Sequence, residues 1–112
     1  MNKDKALGHL LDLLSVEGLG GQESKVAAAI AKKLTAAGVK KAWITTDDAH
    51  KRLGVPPSEG ALAKRCERFE TGNLIVKLPG TVKAPRILFS AHMDTVPLCR
   101  GAVPVVGGVL RA

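Results

Sequence analysis

Arg86-Ile87-Leu88-Phe89-Ser90-Ala91-His92-Met93-Asp94-Thr95-Val96-Pro97 is the stretch on which the fold turns. Ile87, Leu88 and Phe89 are apolar without alternation, the pattern of a strand covered on both faces inside an α/β sheet. The sequence therefore predicts a buried strand over residues 86–91. Ligands of open α/β sheets gather beyond the carboxyl ends of the strands, which is where His92 and Asp94 stand. Two residues apart on an extended backbone, their side chains point the same way. Such an imidazole can ligate a metal through one nitrogen while the carboxylate takes the other N–H and fixes the tautomer. On spacing alone, a histidine hydrogen-bonded at a strand end is the commoner arrangement.

Upstream, Leu7, Leu10, Leu11 and Leu14 follow the i, i+3, i+4, i+7 spacing of a helix with one apolar face. Asn2 can cap it and Asp4 lies in its first turn, so a helix is predicted over residues 3–15. Gly18, Gly20 and Gly21 then form a loop lacking the Gly-Lys-Ser/Thr ending of a phosphate-binding loop. Val26, Ile30 and Leu34, with Ala27 and Ala31, make one stripe of a second helix over 22–37, and Gly38 stands where such a helix stops. Residues 42–46 and 73–78 read as strands. Between them, at about residues 48–71, lies a polar surface insertion in which 61–68 is predicted to form a short helical segment. Asp47 and Asp48 are adjacent, which on a strand points them to opposite faces, so a turn is expected rather than a metal pair. Past Pro97, residues 103–106, Gly107-Gly108 and Val109-Leu110 spell a hairpin. Its second arm stops at Ala112 with little to bury its apolar edge, the expectation for a truncated chain.

The whole stretch around His92 resembles the first metal-binding motif of the dizinc exopeptidases, the family of tripeptide aminopeptidases (peptidase T), glutamate-releasing carboxypeptidases and aminoacylases. In that motif a buried strand and a small residue precede His-x-Asp-Thr/Val-Val-Pro. Other features resemble the same family in order along the chain: two N-terminal helices joined by a Gly-rich loop with Gln22-Glu23, the Gly72-Asn73-Leu74-Ile75-Val76 strand, and Leu78-Pro79-Gly80. Thr95-Val96-Pro97-Leu98-Cys99, Gly101-Ala102 and Pro104-Val105 are most similar to the tripeptide aminopeptidase branch.

The resemblance implies an α/β fold, a helix pair packed on a mixed β-sheet, forming the N-terminal portion of a zinc-exopeptidase (phosphorylase/hydrolase-like) catalytic domain over residues 1–112. It implies His92 as a zinc ligand and Asp94 as the catalytic carboxylate that orients it. The chemistry implied is metal-assisted hydrolysis of short peptides by two zinc ions that activate water and polarise the scissile carbonyl. The family's bridging Asp, its Glu-Glu pair and its later ligands have no counterpart here. Asp94 is the only acidic side chain after Glu70. A single His with a supporting Asp falls short of the three protein ligands usual for catalytic zinc. The dimerisation domain of many relatives is likewise not represented, so the resemblance carries no oligomeric state.

The remaining composition bounds the alternatives. One domain is all that 112 residues accommodate. Seventeen Lys and Arg against ten Asp and Glu give a net charge of +7, the balance of a nucleic-acid binder. However, the excess is split between residues 24–46 and 71–112, and aromatic residues are only 3%, too few to stack bases. Neither a nucleic acid nor a membrane is expected as partner, since no apolar run approaches the ~20 residues of a span. Cys66 and Cys99 form no CxxC pair, His9 lies at a helix boundary and His50 in the polar insertion; none is expected to bind metal. Reduced thiols and no signal-peptide pattern lead to a cytoplasmic assignment. A stand-alone, non-catalytic remnant that binds metal or protein weakly is the principal rival reading.

Overall fold

A computed structural model describes residues 2–51 and 69–107. Helix α1 is Lys3–Leu14, helix α2 Ser24–Ala36, strand β1 Ile44–Thr46 and strand β2 Leu74–Val76. Short 3-10 turns cover Lys41–Trp43, Ala49–Lys51 and Pro97–Cys99. The chain is thus α/β.

Both helices form where local signals place them. The Asn2 side chain accepts a hydrogen bond from the Lys5 N–H at 2.9 Å, satisfying one of the free donors of α1. At the end of α2, Gly38 takes φ +97°, which lets the chain reverse. The Gly38 N–H donates to the Thr35 carbonyl and the Val39 N–H to the Leu34 carbonyl, each at 3.0 Å, a Schellman ending. Between the helices, the Lys33 ammonium donates to Asp12 at 2.6 Å and lies 3.2 Å from the His9 Nδ1.

Strands β1 and β2 pair antiparallel, with Ile44 opposite Val76 and Thr46 opposite Leu74. Asp47 closes the pair at one end. Its carboxylate accepts from the Ala49 and Asn73 backbone N–H groups and from the Asn73 side chain, at 3.1, 2.7 and 2.9 Å. This is the turn expected of Asp47-Asp48, extended into a clamp across the two strands. Helix α2 faces the sheet across a groove lined by Ala27, Ala31, Ile44 and Leu74.

Three expectations need correction. Residues 86–91 form no strand, and Leu88 and Phe89 are about nine-tenths exposed. The sheet accordingly has two antiparallel strands among the described residues rather than a mixed set. An apolar run reads as buried only if neighbouring strands supply hydrogen bonds and cover, and no backbone group of 78–94 has a backbone partner among the described residues. Residues 103–107 are in no strand among the described residues, and the second arm of the expected hairpin, at 109–110, lies outside them. Finally, the apolar stripe of α1 forms as a helix face but stays open, with Leu7, Leu10 and Leu14 exposed. The helical segment expected at 61–68 lies outside the described residues.

Among the described residues the buried apolar core consists of Leu19, Val26 and Ala27. It sits where the Gly-rich loop meets α2, directly beneath the candidate site. Among the described residues no helix is long and apolar enough to cross a membrane.

Candidate functional site

The site is built on the loop between α1 and α2. Thr95 makes a parallel bridge to Leu19. Its N–H donates to the Gly18 carbonyl at 2.8 Å, and its hydroxyl donates to the same oxygen at 3.2 Å. Gly18 leaves no alternative: a Cβ there would run into Val26 Cγ2 and sit 3.5 Å from the Met93 carbonyl. The glycine therefore lets the 93–95 backbone approach the core at Leu19 and Val26. Farther along, Glu17 accepts from the Gly101 N–H at 3.0 Å and lies 4.0 Å from Arg100. One loop thus holds the segment on both sides of Pro97.

That anchoring presents His92 and Asp94 as the spacing predicts. His92 Nδ1 lies 3.3 Å from Asp94 Oδ1. The imidazole is 95% exposed and the carboxylate 45%. With Nδ1 turned to the carboxylate, Nε2 is the nitrogen presented outward, the division of labour that suits a metal ligand and its orienting partner. Asp94 also lies close to the loop, 3.8 Å from the position a Cβ on Gly20 would take.

Both residues line a cavity of about 770 Å³ that β2 and residues 88–94 also line. Sequence reasoning left His50 in the polar insertion, yet it lines this cavity too, and its Nδ1 is buried without a hydrogen-bond partner among the described residues. Glu23 lines it as well; its carboxylate accepts from the Gly21 N–H at 2.8 Å, fixing Gly21 at φ +88°. Phe69 packs on that glycine, and the Glu70 N–H donates to the Gly21 carbonyl at 3.0 Å while the Ser24 hydroxyl donates to the Glu70 carboxylate. The Gln22-Glu23 pair after the glycines was the one sequence signal for this support; nothing local pointed to His50.

Cys99 is a free, exposed thiol on the far side of Pro97, and His9 stays with Lys33 on the helix pair. Among the described residues no three His, Cys, Asp or Glu side chains converge as a metal site would require. The residues present fit one imidazole ligand with its carboxylate, and not a complete zinc centre. Searched against family models, curated proteins and solved structures, the chain matches none.

Proposed function

We propose that residues 1–112 are the N-terminal portion of the catalytic domain of a zinc-dependent aminopeptidase acting on short peptides. The observation that carries this reading is the His92–Asp94 pair, 3.3 Å apart and seated on the Gly-rich loop with the outer imidazole nitrogen exposed. The resemblance of the motif to the dizinc exopeptidases, with its order of helix pair, strand and metal segment, supplies the reaction class.

Within this reading His92 offers one ligand and Asp94 holds its ring and tautomer. Asp94 in turn keeps the Nδ1 proton, so that Nε2 stays a lone-pair donor. Zinc, when bound, supplies the Lewis acidity for amide hydrolysis. One imidazole does not hold a catalytic metal, so the remaining ligands and the general base belong to polypeptide outside these residues. No catalytic step is assigned to this chain alone.

The first test is the intact mass of the endogenous polypeptide, captured from its native cells with an antibody against this chain. A mass several times 11.7 kDa supports the peptidase reading. In that species His92→Ala is expected to remove zinc and tripeptide hydrolysis together, whereas activity that survives the substitution rejects the site. A mass of 11.7 kDa with no second chain bound withdraws the enzyme assignment and leaves a non-catalytic binder.

A further inference from the structure

Helix α2 and strand β1 line a second cavity, of about 450 Å³, which His92 and Asp94 do not share. Its size is usual for a small-molecule site. The α2 residues that line it, Ser24, Ala27, Ala28, Ala31, Lys32 and Thr35, recur at three- and four-residue spacing and so make one face of the helix. With only methyl groups along the middle of that face, room is left between the helix and Ile44 and Leu74, which line the cavity from the sheet. Charge is confined to one end. Lys32 stands in the last two turns of α2 and Lys41 in the 3-10 turn that leads into β1, and both line the cavity. Neither has an ion-pair partner among the described residues. The opposite end is marked by Thr71 and by Ser24, whose hydroxyl donates to the Glu70 carboxylate. Among the described residues no acidic and no aromatic side chain lines the cavity.

We infer that this cavity binds a fatty-acid-like anion, a single aliphatic chain ending in one carboxylate, with its head at Lys32 and Lys41 and its chain laid along Ala31, Ala28 and Ala27 toward Leu74. Two unpaired ammonium groups select an anionic head, and the methyl and aliphatic walls select an aliphatic tail. The lining excludes the other common classes of ligand. Without an aromatic side chain there is nothing on which a nucleobase or an aryl group would stack. A sugar needs several free donors and acceptors, but three of the five hydroxyls on the wall already donate: Ser24 to Glu70, Thr35 to Ala31 and Thr71 to Gly72. One negative charge suits the basic end better than the two of a phosphate monoester, because the last carbonyls of α2 lie at that end and carry partial negative charge. From Ser24 to Thr35 the helix face runs about 16 Å, length enough for an extended medium-length chain. This inference is independent of zinc or peptidase activity.

The probe is decanoate, added to the 112-residue chain at neutral pH and below the micellar concentration. It is expected to shift the amide resonances of residues 27–35 and 44–46 and to leave those of α1 in place. Replacing both lysines, Lys32→Gln with Lys41→Gln, is expected to weaken binding by about five- to tenfold. Lys5→Gln with Lys83→Gln changes the net charge equally but outside the lining, and is expected to leave the affinity within about twofold. Ala28→Leu, an exposed lining position where leucine keeps the helix, fills the cavity and is expected to abolish binding. Decanol should lose the same factor as the double lysine variant, and acetate should not bind. Absence of decanoate binding overturns the inference, as does an affinity indifferent to Lys32 and Lys41. Shifts spread equally over α1 overturn it by showing adsorption to open apolar surface, and decyl phosphate binding more tightly than decanoate overturns it by assigning another head group.

Discussion

Asp47 shows how much one side chain determines in so small a sheet. Its carboxylate is bound by Ala49 and Asn73, and Gly72 is pressed against its backbone. A Cβ on Gly72 would collide with the Asp47 carbonyl oxygen and carboxylate, atoms that cannot swing away. Gly72→Ala is therefore expected to destabilise the strand pair by about 1–3 kcal/mol, read as faster exchange of the β1 and β2 amides. Gly8 is the opposite case, a glycine inside α1 with open space where a Cβ would go. Gly8→Ala should stabilise α1 by about 0.5–1 kcal/mol, seen as slower exchange of its amides; an unchanged or faster rate would mean that α1 is not the limiting structure there. The His92–Asp94 contact was legible at this same scale, since it needs only an i, i+2 spacing on extended backbone. The place of His50 on the cavity was not, because it depends on the 49–51 turn meeting residues distant in sequence.

At the scale of elements, helices and strands were unequally legible, and the reason is where their hydrogen bonds go. The cap at Asn2, the stripe of Val26, Ile30 and Leu34, and the reversal at Gly38 are all written within a few residues of the bonds they set, so α1 and α2 appear within two residues of their predicted ends. Residues 86–91 have strand composition but must borrow every bond from a neighbour, and none is supplied among the described residues. How the elements join is open to a pH test. The ammonium of Lys33 donates to Asp12 and, by hydrogen bond first and charge second, holds its carboxyl below the usual 3.8. A carboxyl lowered on folding contributes above its unfolded value and loses that contribution as pH falls through the folded one. Asp12→Asn should therefore weaken the protection of α1 amides at pH 6 and match the parent chain once the pH is well below 3.8. Since the pair is largely solvent-exposed, 0.5 M salt should shrink the difference at pH 6. A difference that persists unchanged into acid would assign the effect to shape rather than charge.

For the molecule as a whole, the decisive quantity is surface. An extended chain of 11.7 kDa exposes about 17,000 Å², and a compact fold of that mass about 5,900 Å². At 9775 Å² this chain buries roughly two-thirds of what a compact domain would. Its radius of gyration, 17.0 Å, exceeds the ~13 Å of a compact chain of this length for the same reason. The deficit is not spread evenly. Among the described residues it shows in the open stripe of α1 and the apolar run at 87–89, beside the cavities that these segments line. Because the slope of stability against denaturant scales with the area exposed on unfolding, the isolated chain should unfold in urea with a slope about two-thirds of that of a compact domain of its size. It should also bind a hydrophobic dye before any urea is added, as surfaces of this kind do. A full-sized slope without dye binding would mean that the chain closes the grooves on itself in solution.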